Sequence, residues 1–578
     1  MTTNSIILQL CDRLRSNDPN LSSLSLSSLP LFEIAAIDID LILGALVENQ
    51  SVTELSFSLP DDIQDGNTAS LLKQYLGCSH CLLESLSLSS LAMSSWQGLC
   101  DALKLNTSVK TLEIGTPASV LVTEHLDSLN QLACQQFADA LATSEVDCLT
   151  LRRFHIESSE WPCFLRGLKT TKRLELHQIV SDTSFFDSLV GVSENLQELS
   201  IIQCSSKTSS DTLLRAVSEN SCILHLEKLR IAECNSCEFA TALCRFGSMD
   251  ILKELDLRDN AMSDHIASTL AEWLTQQPSL ENLILEGCDL SGAACSSILN
   301  ALGQHQGITQ LDVRRNHLNG DSSSVLKLPP NLKVLDLSEN KGLGESSWLP
   351  SLVENNPHVV EWNLATINMT DKGLTDVCMA IDRHGETCKI KVLDLGQTTV
   401  GIKGLAALSF VLEKRLTSLK KINLTSCGLD DEAISNLARS MKNHKSLIEV
   451  SLSYNPFGNT ACHVLAETAS TMPSLRSLGI SFARYDNEGL GYFVSALRDN
   501  PRLENMTYWT YASFRGEMDE VEGQVDRWLL LNRAGRRVIH ETIELNLFSI
   551  VLERARRRGG QQGLYYILRE SVHLCESS

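Results

Sequence analysis

Two C-x-x-C pairs have the spacing that most suggests chemistry, because neighbouring thiolates can bind zinc or exchange disulfides. They are Cys78-Ser-His-Cys81 and Cys234-Asn-Ser-Cys237. The two pairs lie about five repeat units apart in the repetitive chain set out below, where each unit packs only on its neighbours. Neither pair sits in a βαβ unit of the thioredoxin type. We therefore predict no metal site and no redox role for them.

Other chemical signatures are missing from the sequence. It contains no phosphate-binding G-x-x-x-x-G-K-[ST], no G-x-S-x-G, no H-E-x-x-H and no dinucleotide-binding fingerprint. The 14 histidines are dispersed, and one at a strand position, such as His177, reads as a surface residue. We predict that the protein is not an enzyme, with no catalytic residues, no cofactor and no metal.

Charged residues recur at one position of a repeated phrase, L-x-x-L-x-L-x-x-N. Between the second and third leucines stand Asp256, Asp312, Asp336 and Asp394, with Asn363 and Asn423 in other copies. Two residues further on come Arg258 and Arg314. One interpretation is a solvated face with internal charge pairs, and the other is an acidic strip edged with arginine that binds the basic groups of a partner.

Aromatic residues cluster near the end of the repeats, although aromatics make up only 5% of the chain. Tyr454, Phe482 and Trp509 fall at outward or loop-edge positions of three successive copies, with Arg484 and Tyr485 close by. Aromatics and arginine are frequent anchors of protein interfaces. The alternative is that the C-terminal segment packs on them.

These residues are carried by a repeat that is clearest at Leu252-Lys-Glu-Leu255-Asp-Leu257-Arg-Asp-Asn260 and is followed by an amphipathic run. The phrase returns at Leu280, Ile308 and Leu332, and roughly eighteen copies have a mean period of about 28 residues. The pattern predicts an α/β leucine-rich repeat solenoid, a curved horseshoe with parallel strands on the concave face and helices on the convex face.

Polar residues at the end of the phrase are predicted to turn inward and bond the free backbone groups of neighbouring loops. Asparagine takes this place at positions 260, 316, 340 and 455, and cysteine takes it at positions 204, 234, 288 and 427. A buried free cysteine usually behaves as a small apolar residue. We therefore interpret these cysteines as structural.

Three segments are expected. Residues 1–50 form an N-terminal cap or degenerate repeat, residues 51–511 the solenoid of roughly seventeen to eighteen repeats, and residues 512–578 a helical C-terminal cap. Within the last segment we predict helices from Val525, from 542 to 557 and from 563 to 570. A solenoid needs such caps because its end repeats would otherwise expose leucines to water.

The net charge of −22 disfavours nucleic acid and anionic membranes as partners, since both favour basic proteins. It is compatible with a basic protein partner. The sequence shows neither a membrane-length apolar run nor a secretory leader. We expect a monomer in the cytoplasm, with the nucleus as the alternative.

Residues 50 to 511, as in Leu252–Asn260 and Leu447–Asn455, resemble the ribonuclease-inhibitor subfamily of leucine-rich repeat proteins. The resemblance implies the fold and a large protein-binding surface. It leaves three functions open: a protein-binding scaffold, which we favour, a GTPase activator of the Ran type, and an inhibitor of a basic enzyme such as a ribonuclease. The acidic tail of Ran activators is missing.

Overall fold

The computed structural model divides into two compact units, Met1–Cys288 and Asp289–Ser578. The residues that it describes are 3–26, 36–57, 67–88, 93–115, 127–129, 131–157, 159–181, 195–206, 225–234, 243–244, 247–319, 327–442, 444–510, 513 and 519–534, with short runs between 536 and 565.

The first unit alternates strands and helices along the chain. Its helices are α1 Thr3–Arg15, α2 Ala36–Leu46, α3 Asn67–Leu76, α4 Met93–Leu103, α5 Gln131–Thr143, α6 Trp161–Arg166 and α7 Asp264–Leu274. Its strands are β1 Ser23–Ser25, β2 Glu54–Phe57, β3 Ser85–Leu88, β4 Thr111–Ile114, β5 Asp127–Leu129, β6 Cys148–Arg152, β7 Phe154–Ile156, β8 Arg173–His177, β9 Val180–Ser181, β10 Glu198–Ile202, β11 Ser205–Ser206, β12 Lys228–Ala232, β13 Glu254–Asp256 and β14 Asn282–Ile284.

The second unit continues the alternation. Its helices are α8 Gly292–Leu302, α9 Trp348–Asn355, α10 Asp371–Arg383, α11 Ile402–Lys414, α12 Asp431–Met441, α13 Asn459–Thr471, α14 Asn487–Asp499 and α15 Asp519–Ala534, with 3-10 turns at Leu343–Glu345 and Gly385–Thr387. Its strands are β15 Gln310–Asp312, β16 Val334–Asp336, β17 Glu361–Asn363, β18 Val392–Asp394, β19 Lys421–Asn423, β20 Glu449–Ser451, β21 Ser477–Gly479 and β22 Asn505–Thr507.

Parallel pairing of successive repeat strands confirms the predicted fold class in each unit. In the first unit β13 pairs with β14 so that Leu255 faces Leu283, and in the second β15 pairs with β16 so that Leu311 faces Leu335. All four leucines are buried. Burying such a side chain contributes about 1.5–3 kcal/mol, so stacking leucine on leucine fixes the register. Each unit is a leucine-rich repeat solenoid. In the first unit a smaller parallel sheet of β5, β7, β9 and β11 lies beside the main one.

The predicted inward row of asparagine and cysteine is confirmed. The amide Nδ2 of Asn455 donates to the carbonyl oxygens of Leu424 and Leu452, both at 2.8 Å, and its Oδ1 accepts the Cys427 N–H at 2.9 Å. The Cys427 thiol donates to the carbonyl oxygen of Leu395 at 3.2 Å. Burial raises the pKa of this thiol, which keeps it protonated as a donor. Each such residue ties one repeat to the preceding one.

A second inward row, which the sequence analysis missed, lies where each helix returns to the next strand. Asn106 Nδ2 donates to the Leu76 carbonyl oxygen at 2.8 Å, and Asn106 Oδ1 accepts the Val109 N–H at 2.8 Å. Asn500 donates to the carbonyl oxygen of Ala469 at 2.8 Å. The His444 imidazole makes the equivalent pair of contacts. Its Nε2 lies 2.8 Å from the Leu416 carbonyl oxygen, and its Nδ1 accepts the Leu447 N–H at 3.2 Å.

Helix α15 packs against the last repeat. Asn532 Nδ2 lies within 3.2 Å of the carbonyl oxygens of Leu497, Asn500 and Leu503, and Val525 is buried. This satisfies backbone groups that have no following repeat. The boundaries of the three predicted segments remain predictions, and the tail helices expected at 542–557 and 563–570 lie outside the described residues apart from short runs.

Within the described part of the chain, no helix is both long enough and apolar enough to cross a membrane.

The geometry of His444 predicts a pH-dependent stability. Burial lowers the pKa of His444 below its usual 6.5, because desolvation disfavours the charged ring. Only the neutral ring can accept the Leu447 N–H at Nδ1. Its stabilising contribution is therefore complete above pH about 6.5 and is lost as the pH falls below that value, with a slope of at most about 1.4 kcal/mol per pH unit. We expect His444→Asn, which copies Asn500, to fold and to show a shallower fall of the urea denaturation midpoint between pH 7.5 and 5.5. Identical pH slopes for the two proteins would contradict this role.

Candidate protein-binding face

One backbone position in almost every repeat is left-handed, and it decides which side chains point out at the edge of the strands. It directly precedes the inward position, which is asparagine or cysteine in most repeats and Ile367, Thr398 or Ala483 in three repeats of the second unit, and it is called here the left-handed row. In the second unit the row has positive φ at Arg315, Glu339, Thr366, Gln397, Ser426, Tyr454 and Phe482. Its N–H groups bond to the next repeat, as from Tyr454 to the Ser481 carbonyl oxygen at 2.7 Å. The turn into the next loop therefore requires this conformation whatever the side chain.

The side chains of the left-handed row are mostly polar and bond to each other. In the first unit Gln178 Nε2 donates to Gln203 Oε1 at 2.8 Å, and Gln203 Nε2 donates to Glu233 Oε2 at 2.6 Å. In the second unit Thr366 Oγ1 lies 3.3 Å from Gln397 Oε1. The row also holds the longer side chains of Arg315 and Glu339, so most of its members share polarity and not length.

Tyr454 and Phe482 are the exception in this row. Their φ angles are 59° and 58°, and their rings stack with centroids 4.5 Å apart and planes 19° apart. A residue other than glycine in this conformation costs about 1–2 kcal/mol, most for bulky side chains. Tyr454 is 55% exposed, so the core does not require it. Nearly the same φ recurs at Gln397 and Ser426, so the pair differs from the rest of the row in its aromatic rings and not in its backbone angle.

Trp509 stands beside this pair. It lies one position before the row in the next repeat, and its carbonyl oxygen accepts the Phe482 N–H at 2.5 Å. The indole is 54% exposed and stacks on Tyr508 with centroids 6.4 Å apart. The structure thus brings together Tyr454, Phe482 and Trp509, which we call the aromatic cluster.

Small side chains on the neighbouring strands leave the aromatic cluster prominent. The outward positions of β20, β21 and β22 closest to it are Ser451, Gly479 and Thr507. A Cβ at position 479 would lie only 3.1 Å from Ser451 Oγ and Ser453 Oγ. The strand surface next to the rings therefore carries only small, uncharged side chains, above which the rings project.

Arg484 and Tyr485, both predicted as partner-binding residues, differ in placement. Arg484 is exposed. Tyr485 is 3% exposed, and its hydroxyl donates to the Tyr508 carbonyl oxygen at 2.5 Å, so its prediction as a surface contact is wrong. The reason is positional: the third residue after the left-handed row points into the core, as Leu429 and Phe457 also do. That regularity could have been read from the sequence.

The side chains of the predicted acidic strip stabilise the turns that follow the strands. Each acidic or amide side chain in it accepts the N–H two residues further along. The distances are 3.0 Å for Asp312 with Arg314, 2.9 Å for Asp336 with Ser338 and 2.8 Å for Asp394 with Gly396. Asn423 accepts the Thr425 N–H at 3.0 Å in the same way. The mixture of aspartate and asparagine at this position was the signal for this turn, because both can accept the bond whereas only aspartate is acidic.

Asp256, in the first unit, is not an exposed member of the strip. Its side chain is 3% exposed and lies 2.8 Å from Arg258 Nη2 and 3.2 Å from Arg230 Nε. Arg258 also approaches Glu286 at 3.5 Å. Asp256 is thus a buried, neutralised partner of two arginines, and its prediction as a partner contact is wrong. Arg258 remains partly exposed.

In the second unit the carboxylates are partly exposed and also bond across the strands. Asp336 Oδ2 accepts from Asn363 Nδ2 at 2.8 Å, and Asp394 accepts from Asn423 Nδ2 at 3.0 Å. Arg314 Nε lies 3.4 Å from Asp312 Oδ2. The strand face therefore keeps negative charge, although much of it is already engaged within the protein.

The cysteine pairs lack the features of a thiolate site. Cys78 and Cys81 are free thiols, and burial raises the pKa of Cys78. Cys234 lies in the inward row, burial raises its pKa to about 11, and Cys237 lies outside the described residues. Among the described residues no group of three or more His, Cys, Asp or Glu side chains could hold a metal ion.

The family described as Leucine Rich repeat matches residues 251–271 and 415–438. Ribonuclease inhibitor of Sus scrofa is 27% identical over 291 residues, which cover 49% of this chain and 57% of that protein. NACHT, LRR and PYD domains-containing protein 5 of Bos taurus is 27% identical over 270 residues, or 43% of this chain and 23% of that protein. The chain is a leucine-rich repeat protein of the ribonuclease-inhibitor-like type.

This leucine-rich repeat protein thus spans less than two thirds of the curated relatives it matches. Among solved structures, the mouse RP105/MD-1 complex is 15% identical with a TM-score of 0.46, and the match covers 85% of this chain and 79% of that one.

The strained aromatic residues generate a stability prediction. Asparagine tolerates the left-handed conformation, so Tyr454→Asn with Phe482→Asn removes the stack but also removes strain. We expect the free energy of unfolding in urea to change by less than about 1 kcal/mol. Phe457→Ala, at a fully buried site three residues away, should lose about 3–5 kcal/mol. A loss of that size in the double asparagine variant would show that the rings are part of the core.

Proposed function

We propose that this protein is a non-enzymatic scaffold that binds another protein at the strand face of its second unit, with the aromatic cluster as the anchor. The supporting observation is the stacked pair of Tyr454 and Phe482, held in left-handed backbone and largely outside the core. Exposed aromatic rings bury large area with little loss of side-chain entropy when a partner binds.

The surroundings of the aromatic cluster favour a partner with apolar groups at its centre and basic groups beside them. Exposed aromatics and low, uncharged neighbours such as Ser451 and Thr507 accept an apolar side chain, and Arg484 at the edge can pair with an acidic rim residue. Asp312, Asp336 and Asp394 supply negative charge on earlier strands of the same unit, β15, β16 and β18, which steers a basic partner.

We further propose that the protein resides in a reducing compartment. This compartment is the cytoplasm, with the nucleus as the alternative. The described cysteines are free thiols and most are buried inside repeats. Structural thiols in such numbers are typical of compartments in which disulfides do not form.

The test is a photo-crosslink placed beside the aromatic cluster. Protein carrying a benzophenone amino acid at position 484 is irradiated in native cell extract, alone and with Tyr454→Asn plus Phe482→Asn. We expect one dominant adduct that falls at least about tenfold in the double variant, since two anchors contribute more than about 1.4 kcal/mol.

The matched control is Gln397→Asn plus Ser426→Asn. These exposed residues belong to the same left-handed row but carry no ring. The control should keep the adduct at its original yield. An adduct of equal yield in all three proteins would refute the aromatic anchor and leave the strand carboxylates as the binding surface to test.

A second candidate is inhibition of a basic enzyme. It is favoured by the net charge of −22 together with the 27% identity to the ribonuclease inhibitor of Sus scrofa. Titration of a basic ribonuclease with the protein should then abolish cleavage of an RNA substrate. The inhibition should weaken as the salt concentration rises, because salt screens the attraction between opposite charges. Unchanged cleavage at a protein concentration of about 10 μM would dismiss this candidate.

A further inference from the structure

One row of exposed side chains on helix α11 is apolar, whereas the same row is polar on the helices that follow it, α12 to α14. Ile402 is 88% exposed and Phe410 is 47% exposed, and Ala406 between them is exposed as well. Their i, i+4, i+8 spacing places them in one row along the helix. On the preceding helix α10, Met379 is 51% exposed. This row and Met379 form what we call the α11 face.

The residues at corresponding positions of other helices show that the fold does not require apolar side chains there. The first residue is aspartate in α10 and α12 and asparagine in α13 and α14, but isoleucine in α11. The ninth residue is arginine in α12, glutamate in α13 and serine in α14, but phenylalanine in α11. Exposed apolar residues that cluster in this way mark an interaction surface.

No side chain in the first turn of α11 caps the helix. Its N-cap is Gly401, which has no side chain, and the capping bond comes from the preceding repeat: Asp371 Oδ1 accepts the Gly404 N–H at 2.6 Å. Ile402 therefore contributes neither a cap nor core packing.

Two hollows lie between α11 and α12, one at each end of the helices, and together they outline what we call the α11–α12 groove. One hollow, about 460 Å³, lies at the start of the two helices and is lined by Ile402, Leu405 and Ala406 on one side and Asp430 and Glu432 on the other. The second, about 470 Å³, lies at their ends and is lined by Leu412 and Glu413 against Arg439 and Lys445. The groove is acidic at one end and carries two basic residues at the other.

That charge pattern is complementary to itself. A two-fold axis through the middle of the groove makes the helices of two copies antiparallel, so the Glu432 end of each copy meets the Lys445 end of the other. Within the described residues, neither Glu432 nor Lys445 has an ion-pair partner within 4.0 Å in its own chain. Glu413 reduces the positive charge of the basic end but is itself paired with Lys414.

We propose that two copies of this chain associate through the α11 face and the α11–α12 groove, in a symmetric antiparallel dimer. The sequence alone led to the expectation of a monomer. The exposed apolar row supplies the contact area, and the two Glu432–Lys445 contacts set the antiparallel direction.

The available area limits the affinity of such a dimer. A helix of 13 residues is about 20 Å long, and helices pack about 10 Å apart, so a face two to three helices wide offers about 400–600 Å² per copy. The total of about 800–1,200 Å² is at the low end for specific interfaces, which favours a dissociation constant in the micromolar range.

Charge reversal tests both the dimer and its direction. Sedimentation velocity of the full chain from about 1 to 200 μM should show a reversible monomer–dimer equilibrium. Glu432→Lys alone and Lys445→Glu alone should each weaken dimerisation at least tenfold, because each homodimer then brings like charges together. An equimolar mixture of the two variants should dimerise as well as the original protein, since one original and one reversed ion pair form.

The controls separate this interface from any other. Glu488→Lys reverses an exposed charge at the same second position of helix α14, two helices beyond α12, and should leave dimerisation unchanged. Ile402→Ser with Phe410→Ser should give a monomer with an unchanged circular dichroism spectrum. A monomeric original protein at the highest concentration would overturn the proposal. So would a dimer that survives the serine substitutions, or a mixture that fails to restore dimerisation.

Discussion

The hydrogen bonds of buried amide and thiol side chains between consecutive repeats are the constraint on which the rest depends. Asn455 binds two carbonyl oxygens and two N–H groups that would otherwise be buried without partners, and an unsatisfied buried group costs about 1–3 kcal/mol. To reach them the chain must turn sharply just before the asparagine, and that turn is the left-handed residue. The inward ladder and the outward left-handed row are therefore two consequences of one backbone path.

This coupling explains why the strand face has two kinds of residue with different freedom. Asp336 and Asp394 must be short acceptors, because each satisfies a backbone N–H in the same turn. The residue in the left-handed row serves the fold mainly through its backbone, so its side chain can vary from Ser426 to Tyr454. Selection for binding can act on the row at small structural cost, and the aromatic cluster lies where that freedom exists.

The sequence was sufficient for the features that repeat. Leucine spacing predicted the parallel strands, and the asparagine and cysteine position predicted the inward ladder, because both patterns recur in many copies. Prediction from the sequence failed where one repeat has different neighbouring side chains from the others. Asp256 has the motif of an exposed residue, but Arg230 and Arg258 cover it, and the first of these comes from the neighbouring strand. Positive φ at Tyr454 leaves no mark in a side-chain pattern, so the strain of the aromatic pair became apparent only from the backbone.

The aromatic cluster and the α11 face depart from the pattern in the same way, on opposite sides of the repeats in the second unit. Strands and helices alternate along the chain, so a contact through helices α11 and α12 leaves Tyr454, Phe482 and Trp509 uncovered. A dimer through the helix side would then carry two copies of the strand-side surface. Two linked sites increase the apparent affinity for a partner that is itself repeated or dimeric, without any new contact. A micromolar helix-side dimer could thus make binding at the strand side depend on the concentration of the protein itself.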